Sequence, residues 1–326
     1  MFDKSVYIAR RKVLASKISS GVVLMLGNSE AGCNYTGNTY MFRQDSTFLY
    51  YFGLDKPDLA AVIDIESGEE IIFGDDVDID DIIWMGPQPL LKDEAAEVGV
   101  GKTAPLAKLE DYIKEAAAKG RKVHFIPQYR YHNMIQLNRM LGIPFEDMKK
   151  APSLELILAV VSQRLIKEPC EIEEIEKACD LGYAMHYTAM KMMKPGMVEQ
   201  ELVGVMEGVC LSGGYMTSFA TILSQHGETL HNHIHDGILT PGKLCVIDAG
   251  AESARITHPT SPVPFPWAAS LPRSRKMSIR LWPRPTSTPL KMPVPASPIR
   301  MSTSGPPRLS SRALRTSVWF TAISKR

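Results

Sequence analysis

Paired cysteines and long apolar runs are both missing from this sequence. None of the five cysteines belongs to a Cys-x-x-Cys pair, which argues against a zinc knuckle or a disulfide framework and favours a reducing compartment. No stretch approaches the roughly 20 apolar residues that span a bilayer, and the N-terminus MFDKSVYIARRK is charged where a signal peptide has its apolar core. We therefore expect a cytoplasmic protein that does not cross a membrane. The cysteines are Cys33, Cys170, Cys179, Cys210 and Cys245.

Acidic residues are missing from the C-terminal part of the chain. Residues 254–326 hold ten Arg, three Lys and no Asp or Glu, together with 13 of the 23 prolines and one of the 23 glycines. Because 13 of the 37 basic residues lie there, 24 remain in residues 1–253 against all 36 acidic residues. The two parts therefore carry formal charges of +13 and −12. Such a change marks a boundary near residue 254.

The chain is long enough for two domains, with 326 residues of which 44% are apolar. Residues 1–150 read as an α/β domain, and its first helix, Val6–Ile18, is expected to turn its basic residues outward. Phe48–Phe52 is expected to be a strand in the core, and Ser67-Gly68 the turn of a hairpin. The acidic stretch 75–81 lacks the Gly and final Glu of an EF-hand, so we interpret it as a solvated loop.

Residues 151–253 predict a second domain that starts with helices. The clearest helix begins near Pro169 and stops at Pro195-Gly196. Its apolar positions recur at spacings of three and four, which predicts a buried stripe. A histidine on that stripe, His186, is expected to be a core residue and not a ligand. The predicted stripe consists of Ile172, Ile175, Cys179, Gly182, His186, Ala189 and Met193.

A histidine-rich segment precedes the strand that carries the principal candidate residue. His231, His233 and His235 alternate, so they could converge on a metal if the segment were a strand, and they equally suit a polar loop beside a cleft. The next apolar run, Leu244–Ile247, has the length and β-branching of a buried strand and ends at Asp248. An acid at a strand end is either a metal ligand or catalytic group, or the cap of the following turn.

Four stretches of the first 253 residues carry a resemblance to a known family. They are FRQDSTFLYYFGLDKPDLAAVI, IKEPCEIEEIEKACDLGYAMHYTAMKMMKPGM, the LH of TLHNHIHDG, and DGILTPGKLCVIDAGAE. Together they resemble the aminopeptidase P and prolidase group of pita-bread metallopeptidases. The resemblance implies an α/β N-terminal domain followed by an α+β pita-bread catalytic domain, and it ends near Ser253. The FRQDSTFLYYFGL stretch is nearer to aminopeptidase P than to the dipeptide-cleaving prolidases.

The resemblance also implies a reaction. Enzymes of this group hydrolyse the bond between a first residue and a following proline, with a hydroxide held by two Mn²⁺ ions, and their ligands are two Asp, one His and two Glu. Two such ions can polarise oxygens and supply a nucleophile at neutral pH. Asp248 matches the first Asp ligand, and His231 matches the histidine that contacts substrate. The expected partners are peptides with proline at the second position, and a homo-oligomer is compatible with the family.

The later metal ligands of the family are missing from this sequence. The second Asp of the family follows eleven residues after the first, where this chain has Pro259, and no Asp or Glu occurs after Glu252. Asp248 alone leaves too few ligands for a pair of Mn²⁺ ions. We therefore expect an incomplete catalytic domain and an inactive chain. The alternatives are a prolidase and a non-catalytic pita-bread module that binds peptides.

The basic segment 254–326 admits three interpretations, which are a disordered linker, a nucleic-acid-binding arm and out-of-frame translation. A single-base shift of reading frame can spell HYASDFTRTFPVGGKF from Arg255 onward, which contains the missing Asp in the motif of the family. Codon degeneracy leaves no choice at some positions: Trp267-Ala268 forces Gly, and Trp282-Pro283 forces Ala. The Gly suits this reconstructed sequence, and the Ala suits its continuation KDVYPTVATANEHAAENARPGVTYTD, which the same shift can spell from Arg275 to Met301. We therefore favour a frameshift near Ser253, expect a disordered tail and do not expect nucleic-acid binding.

Overall fold

The computed structural model describes residues 1–214, 216–229 and 231–252, together with the backbone of residues 265–267. The chain divides into two compact units, of which one covers Met1–Ile172 and the other begins at Glu173. The expectation of a disordered tail concerns residues that, apart from that short backbone segment, lie outside the described ones. The helices are α1 Lys4–Ala15, α2 Ser46–Phe52, α3 Ile79–Met85, α4 Leu91–Glu97, α5 Lys108–Ala118, α6 Tyr131–Leu141, α7 Leu154–Arg164, α8 Pro169–Met192 and α9 Glu199–Ser212.

The first unit is built on a five-stranded sheet with the order β6-β5-β4-β1-β7. β1 pairs antiparallel with β4, with Val23 opposite Ile63, and parallel with β7. β4 and β5 form the predicted hairpin, whose turn contains Gly68 at φ +72°. The strands of the described chain are β1 Val22–Leu26, β2 Gly32–Tyr35, β3 Asn38–Thr39, β4 Ala60–Asp64, β5 Glu70–Phe73, β6 Lys102–Ala104, β7 Val123–His124, β8 Ile222–Ser224, β9 Cys245–Asp248 and β10 Phe265–Trp267.

Helices cover both faces of this sheet, which confirms the predicted α/β class. Alternate residues of a strand point to opposite faces, so Val23 and Met25 of β1 join one hydrophobic core while Val22 and Leu24 join the other. The first core is completed by residues of α1, α2, α4 and α7. The second is completed by residues of α5 and α6. The first unit is therefore a three-layer arrangement with the sheet in the middle.

Lys4 and Lys12 of α1 are exposed as the sequence predicts, but Arg10 and Arg11 do not lie on the outer face. Arg10 and Arg11 are among the most deeply buried side chains of the first unit. The Arg10 guanidinium lies 3.9 Å from the centroid of the Tyr50 ring, and its Nε donates to Glu168 at 2.8 Å. Charged side chains can be buried when aromatic faces and carboxylates replace their water. The prediction was wrong for the two arginines because the periodicity of α1 does not reveal these partners.

The aromatic segment after Asp45 is a helix and not the predicted strand. Asp45 accepts hydrogen bonds from the amides of Thr47 and Phe48, at 2.8 and 2.9 Å, and caps the first turn of α2. Gly53 ends the helix in the left-handed conformation, with φ +67°. An N-cap and a C-terminal glycine fix the two ends of a short helix. They outweigh the strand preference of its aromatic residues.

The acidic segment that starts at Asp75 is partly a loop and partly the start of a helix. Asp78 caps α3 through the amide of Asp81, at 2.9 Å, and Asp76 accepts from the amide of Leu91, at 2.6 Å. Throughout the residues that the structure describes, no group of three or more His, Cys, Asp or Glu side chains could hold a metal ion. These carboxylates therefore act as helix caps.

The unit boundary lies at Ile172 and not at the residue 150 expected from the sequence. Leu156, Ala159 and Val160 of α7 are buried in the same core as α1. Lys17 also donates to Ser162 of α7 at 3.0 Å. Because α7 completes the first core, the 22 residues from 151 to 172 belong with the first unit by contact.

The second unit packs α8 and α9 against a small antiparallel sheet with the order β10-β9-β8. The buried positions of α8 are Glu171, Glu174, Ala178, Met185 and Ala189, whereas Ile172 and Cys179 of the predicted stripe are exposed. One residue is a rotation of about 100° around a helix, so the observed stripe is offset from the predicted one at the start of α8, although both contain Ala189. Apolar periodicity could not show that two glutamates of α8 would be buried.

None of the helices in the described part of the chain is both long enough and apolar enough to cross a membrane.

Candidate functional site

Asp248 is the last residue of β9, as the sequence predicts. β9 pairs with β8, with Asp248 opposite Ile222 and Ile247 opposite Leu223. Cys245 and Ile247 are buried in the core of the second unit, whereas Val246 and Asp248 are half-buried. The strand therefore alternates and is not buried on both faces as its apolar sequence predicts. This alternation points the Asp248 carboxyl group away from the Ile247 side of the sheet.

The Asp248 carboxyl group is held without a hydrogen bond. Its Oδ1 is buried and accepts no bond from any described residue. Burial raises the pKa of the carboxyl group above its usual value, and the positive charge of a protonated His231 would oppose that rise. A carboxylate that capped the next turn would accept backbone amides and would have its pKa lowered. Oδ1 does not behave as such a cap.

Two hydroxyl groups beside β9 are also buried without a partner. The segment that leads into β8 runs antiparallel to the chain after Asp248, since Thr217 bridges Ala251 and the amide of Ser218 donates to Gly250 at 3.0 Å. Ser218 Oγ and Thr221 Oγ1 are buried and have no hydrogen-bond partner among the described residues. Unsatisfied buried polar groups are rare and mark either stored strain or a binding site. No pattern in the sequence distinguishes these two residues from ordinary strand hydroxyls.

His186 of α8 fixes the backbone immediately after Asp248. Its Nε2 lies 3.2 Å from the carbonyl oxygen of Ala249, so this nitrogen carries the proton and donates. Burial lowers the pKa of His186, while the bond to Ala249 opposes that change. A neutral histidine that bonds backbone agrees with the predicted core role and places α8 against the turn that follows β9.

The four histidines between residues 226 and 235 do not converge. His231 and His233 are exposed, whereas His235 is buried and its Nδ1 bonds the carbonyl oxygen of Leu223 at 3.1 Å. His226 is exposed and lies 3.0 Å from a carboxylate oxygen of Glu228. The segment is not a strand, so the alternation that would place His231, His233 and His235 on one face is absent. The polar-loop interpretation is the one that agrees with this geometry.

Two protein families match successive parts of the chain. Residues 7–124 match the family described as "Aminopeptidase P, N-terminal domain". Residues 173–261 match "Metallopeptidase family M24", so this match extends past Ser253. The first match covers the whole five-stranded sheet of the first unit, and the second covers α8 from Glu173 onward, α9, β8 and β9.

Curated relatives of this chain are described as probable Xaa-Pro aminopeptidases. The "Probable Xaa-Pro aminopeptidase" of Aspergillus terreus is 24% identical over 273 residues, which are 82% of this chain and 54% of the relative. A protein of the same description from Uncinocarpus reesii is 25% identical over 259 residues, or 75% of this chain and 52% of the relative. The chain spans about half the length of these relatives.

The solved structures establish the fold. Zinc-substituted aminopeptidase P of Escherichia coli, in complex with product, superposes with a TM-score of 0.68 at 22% identity, covering 82% of this chain and 62% of the other. Aminopeptidase PepP of Pseudomonas aeruginosa gives a TM-score of 0.68 at 21% identity, with the same coverage. An α/β domain followed by a pita-bread metallopeptidase domain defines the class of protein. Within that class, both units of the chain are similar to proteins of the aminopeptidase P family.

The match to a metallopeptidase family implies a divalent metal, and the residues of this chain do not fit a dinuclear centre. Asp248 offers one buried carboxylate oxygen, but the described residues bring no further acid or histidine into a group of three around it. The sequence supplies Pro259 where the family has its second aspartate, and it has no acid after Glu252. A hard divalent ion needs several oxygen ligands. One carboxylate cannot hold two such ions.

Proposed function

We propose that this chain is a Xaa-Pro aminopeptidase-like polypeptide that does not turn over substrate in its present form. The ancestral reaction is hydrolysis of the bond between a first residue and a following proline by a hydroxide bound to two Mn²⁺ ions. The family matches over both units support this descent. In this proposal the protein is cytoplasmic, and its ligands are peptides with proline at the second position.

The orphaned carboxyl group of Asp248 is the observation that carries the proposal. A carboxylate oxygen that serves as a metal ligand need not accept a hydrogen bond from the protein. The buried Oδ1 of Asp248 accepts none from the described residues. The chain thus retains the first ligand of a metal centre and lacks the acids that would complete it. Because a bound hydroxide needs both ions to be held, the loss of those acids removes the nucleophile.

We assign Asp248 as the retained metal ligand and His231 as the retained substrate-contacting histidine. His231 is exposed, as a residue that meets a peptide must be. Burial raises the pKa of Asp248 and a positive charge on His231 would oppose that rise, which supports a site that contains both residues. These two side chains can contact a peptide, but they supply no activated water.

The test uses the full chain and a matched chain whose gene carries a single-base correction at codon 253. Both are dialysed against Mn²⁺, and bound metal is counted by mass spectrometry. Hydrolysis of a tripeptide with proline in second place is then followed. We expect no stoichiometric metal and no turnover for the present chain, and both properties for the corrected one. Two bound ions with turnover in the present chain would disprove the proposal.

The frameshift has its own test. The nucleotide sequence around codon 253 distinguishes an altered reading frame from an authentic basic tail. Mass spectrometry of the expressed protein then shows which C-terminal peptides exist. An uninterrupted frame together with peptides from residues 254–326 would exclude the frameshift and leave a non-catalytic chain as the native product.

A non-catalytic peptide-binding module is the second candidate. It is favoured by the exposure of His231, since an exposed imidazole could contact a peptide without any metal. Isothermal titration with an uncleaved Xaa-Pro tripeptide measures this. Binding that is lost in His231→Ala would support the module, whereas absence of heat at millimolar peptide would exclude it. A prolidase origin would instead predict that the corrected chain prefers dipeptides.

A further inference from the structure

A buried carboxyl group lies at the start of α9 without a countercharge. Glu199 is the first residue of this helix and is only 2% exposed. Its Oε1 accepts a hydrogen bond from the amide of Gln225 at 2.7 Å, and it forms no ion pair with any residue in the described part of the chain. Burying a carboxylate without a cation costs stability, and the amide end of α9 offsets only part of that cost. The position of Glu199 therefore calls for a role other than packing.

Glu199 also packs against a glycine. A Cβ at Gly237 would lie 2.8 Å from Cδ of Glu199, so only a glycine lets the backbone approach the carboxyl group this closely. The amide of Glu199 donates to the carbonyl oxygen of Gly237 at 2.8 Å. Glu199 therefore bonds Gln225 through its side chain and Gly237 through its backbone. We call the segment between these two partners, residues 226–236, the histidine loop. It contains His226, His231, His233 and His235.

Other hydrogen bonds close the base of the histidine loop. The side chain of Gln225 accepts from the amide of Thr240 at 2.9 Å and donates to the carbonyl oxygen of Thr240 at 3.1 Å. Residues 235–239 run antiparallel to residues 196–200 and are joined to them by backbone hydrogen bonds. The end of the loop is thus fixed through the backbone, whereas its beginning is joined to α9 by the carboxyl group of Glu199.

The position of His231 depends on this closure. His235, at the end of the histidine loop, is held by its own bond to the carbonyl oxygen of Leu223. His231 is exposed, and its side chain makes no hydrogen bond with a residue that the structure describes. A side chain that binds a ligand needs support from the residues around it. For His231, that support comes from the bonds that close the loop.

We propose that Glu199 is the positioning residue of His231. Because it joins Gln225 to α9 and lies against Gly237, Glu199 holds the histidine loop in the conformation that presents His231 to a peptide. Glu199 itself is buried and does not meet the peptide. The inference rests on the proposed function, from which it takes the contact between His231 and a peptide with proline at the second position.

The test measures peptide binding by the full chain when this contact is removed. The probe is the tripeptide Ala-Pro-Ala, and isothermal titration gives its dissociation constant. Glu199→Ala loses the acceptor for Gln225, so we expect the dissociation constant to rise at least about tenfold. Glu199→Gln keeps an acceptor oxygen and should stay within about threefold of the unchanged chain. Glu201→Ala is the control, because Glu201 is exposed on the same turn and accepts only the amide of Val198, at 2.8 Å.

Hydrogen exchange followed by mass spectrometry measures how firmly the histidine loop is held. Exchange in residues 225–240 should be faster in Glu199→Ala and unchanged in Glu201→Ala. Gly237→Ala is a second disturbance of the same contact, because its Cβ would press against the carboxyl group, and we expect weaker binding and faster exchange there as well.

The two kinds of failure can be told apart. Binding or exchange in Glu199→Ala equal to that of the unchanged chain would overturn the role of Glu199 and leave the proposed function standing. Absence of binding by the unchanged chain would instead overturn the peptide ligand of the proposed function, and this inference with it. Circular dichroism confirms that every variant is folded.

Discussion

Arg11 donates a hydrogen bond from Nε to Glu70 at 2.8 Å, although the arginine side chain is completely buried. Its other two nitrogens donate to the carbonyl oxygens of Tyr51 and Val98, at 2.9 and 3.0 Å. Burial lowers the pKa of Arg11, and the nearby charge of Glu70 opposes that change. One guanidinium thus connects α1, β5 and the ends of α2 and α4.

Removing the carboxylate partner of Arg11 should destabilise the first unit. In Glu70→Leu, the buried guanidinium keeps its carbonyl partners but loses its countercharge. Breaking a buried ion pair in this way costs about 3 kcal/mol. The Glu70→Gln variant retains an acceptor and should lose less, about 1 kcal/mol. Urea unfolding followed by circular dichroism measures both, and equal losses in the two variants would contradict the importance of the charge.

Gly53 should tolerate no side chain, because it combines a left-handed conformation with close packing. A Cβ at this position would lie 2.3 Å from Cζ of Tyr7. Gly142 has the same φ of +67°, but a Cβ there would meet nothing within 4 Å. The left-handed conformation alone costs about 1 kcal/mol for alanine. We expect Gly142→Ala to lose that amount and Gly53→Ala clearly more, as measured by thermal unfolding. Equal losses would show that Tyr7 moves aside freely.

The segment that forms α2 shows which features of the fold can be predicted from the sequence and which cannot. Both signals that fix the helix are visible in the sequence, since Asp45 precedes the aromatic run and Gly53 follows it. The aromatic run itself favours a strand, and only the observed caps decide between the two. The burial of Arg10 and Arg11 has no such signal, because their partners Glu168 and Glu70 lie far along the chain.

Part of the candidate site could likewise be predicted from the sequence, and part could not. The strand that ends at Asp248 is readable from its apolar run, and the absence of later acids is readable from composition. The orphaned hydroxyl groups of Ser218 and Thr221 depend on how a neighbouring segment packs beside β9. Local sequence carries no information on that packing. The structure was also needed to show that the histidine segment is a loop.

Low pH should destabilise the turn between β4 and β5, because it protonates the Asp64 carboxylate. The Arg121 guanidinium bonds both carboxylate oxygens of Asp64, at 2.7 and 2.8 Å, and holds the pKa of this carboxyl group well below its usual range. An acid with a lowered pKa contributes stability that is complete above its unfolded value, about 3.9. That contribution is lost as the pH falls from there through the lowered pKa of the folded state.

The Asp64→Asn variant should therefore be less stable by about 2 kcal/mol at pH 7 and should approach the unchanged chain below pH 3. Stability is measured by denaturant unfolding between pH 2 and pH 7. Glu110→Gln is the control, because Glu110 pairs with Lys114 on an exposed helix face and should show no measurable change. A constant difference at all pH values would mean that Asp64 acts through packing and not through its charge.

Asp248 should destabilise the second unit in its present form. Its buried Oδ1 has no donor, and burial raises its pKa, so the ionised carboxylate is held in an unfavourable environment. An unsatisfied buried polar group costs about 1–3 kcal/mol, more when it is charged. Residues retained at such a cost are characteristic of functional sites. The Asp248→Asn variant should therefore be more stable by about 1 kcal/mol at pH 7, and Asp236→Asn, at an exposed acid nearby, should be unchanged.

If the chain has no dinuclear centre, Mn²⁺ should not change the stability difference between the unchanged chain and the Asp248→Asn variant. A ligand that binds only the folded state stabilises it by about 2.7 kcal/mol at a concentration of 100 times its dissociation constant. We expect the thermal midpoint of the present chain to be the same in Mn²⁺ and in a chelator, for both Asp248 and Asn at that position. The chain from the frame-corrected gene should gain stability from Mn²⁺ and lose that gain in Asp248→Asn. A rise of the midpoint with Mn²⁺ in the present chain, abolished by Asp248→Asn, would instead show that one carboxylate and ligands from elsewhere suffice to hold the metal.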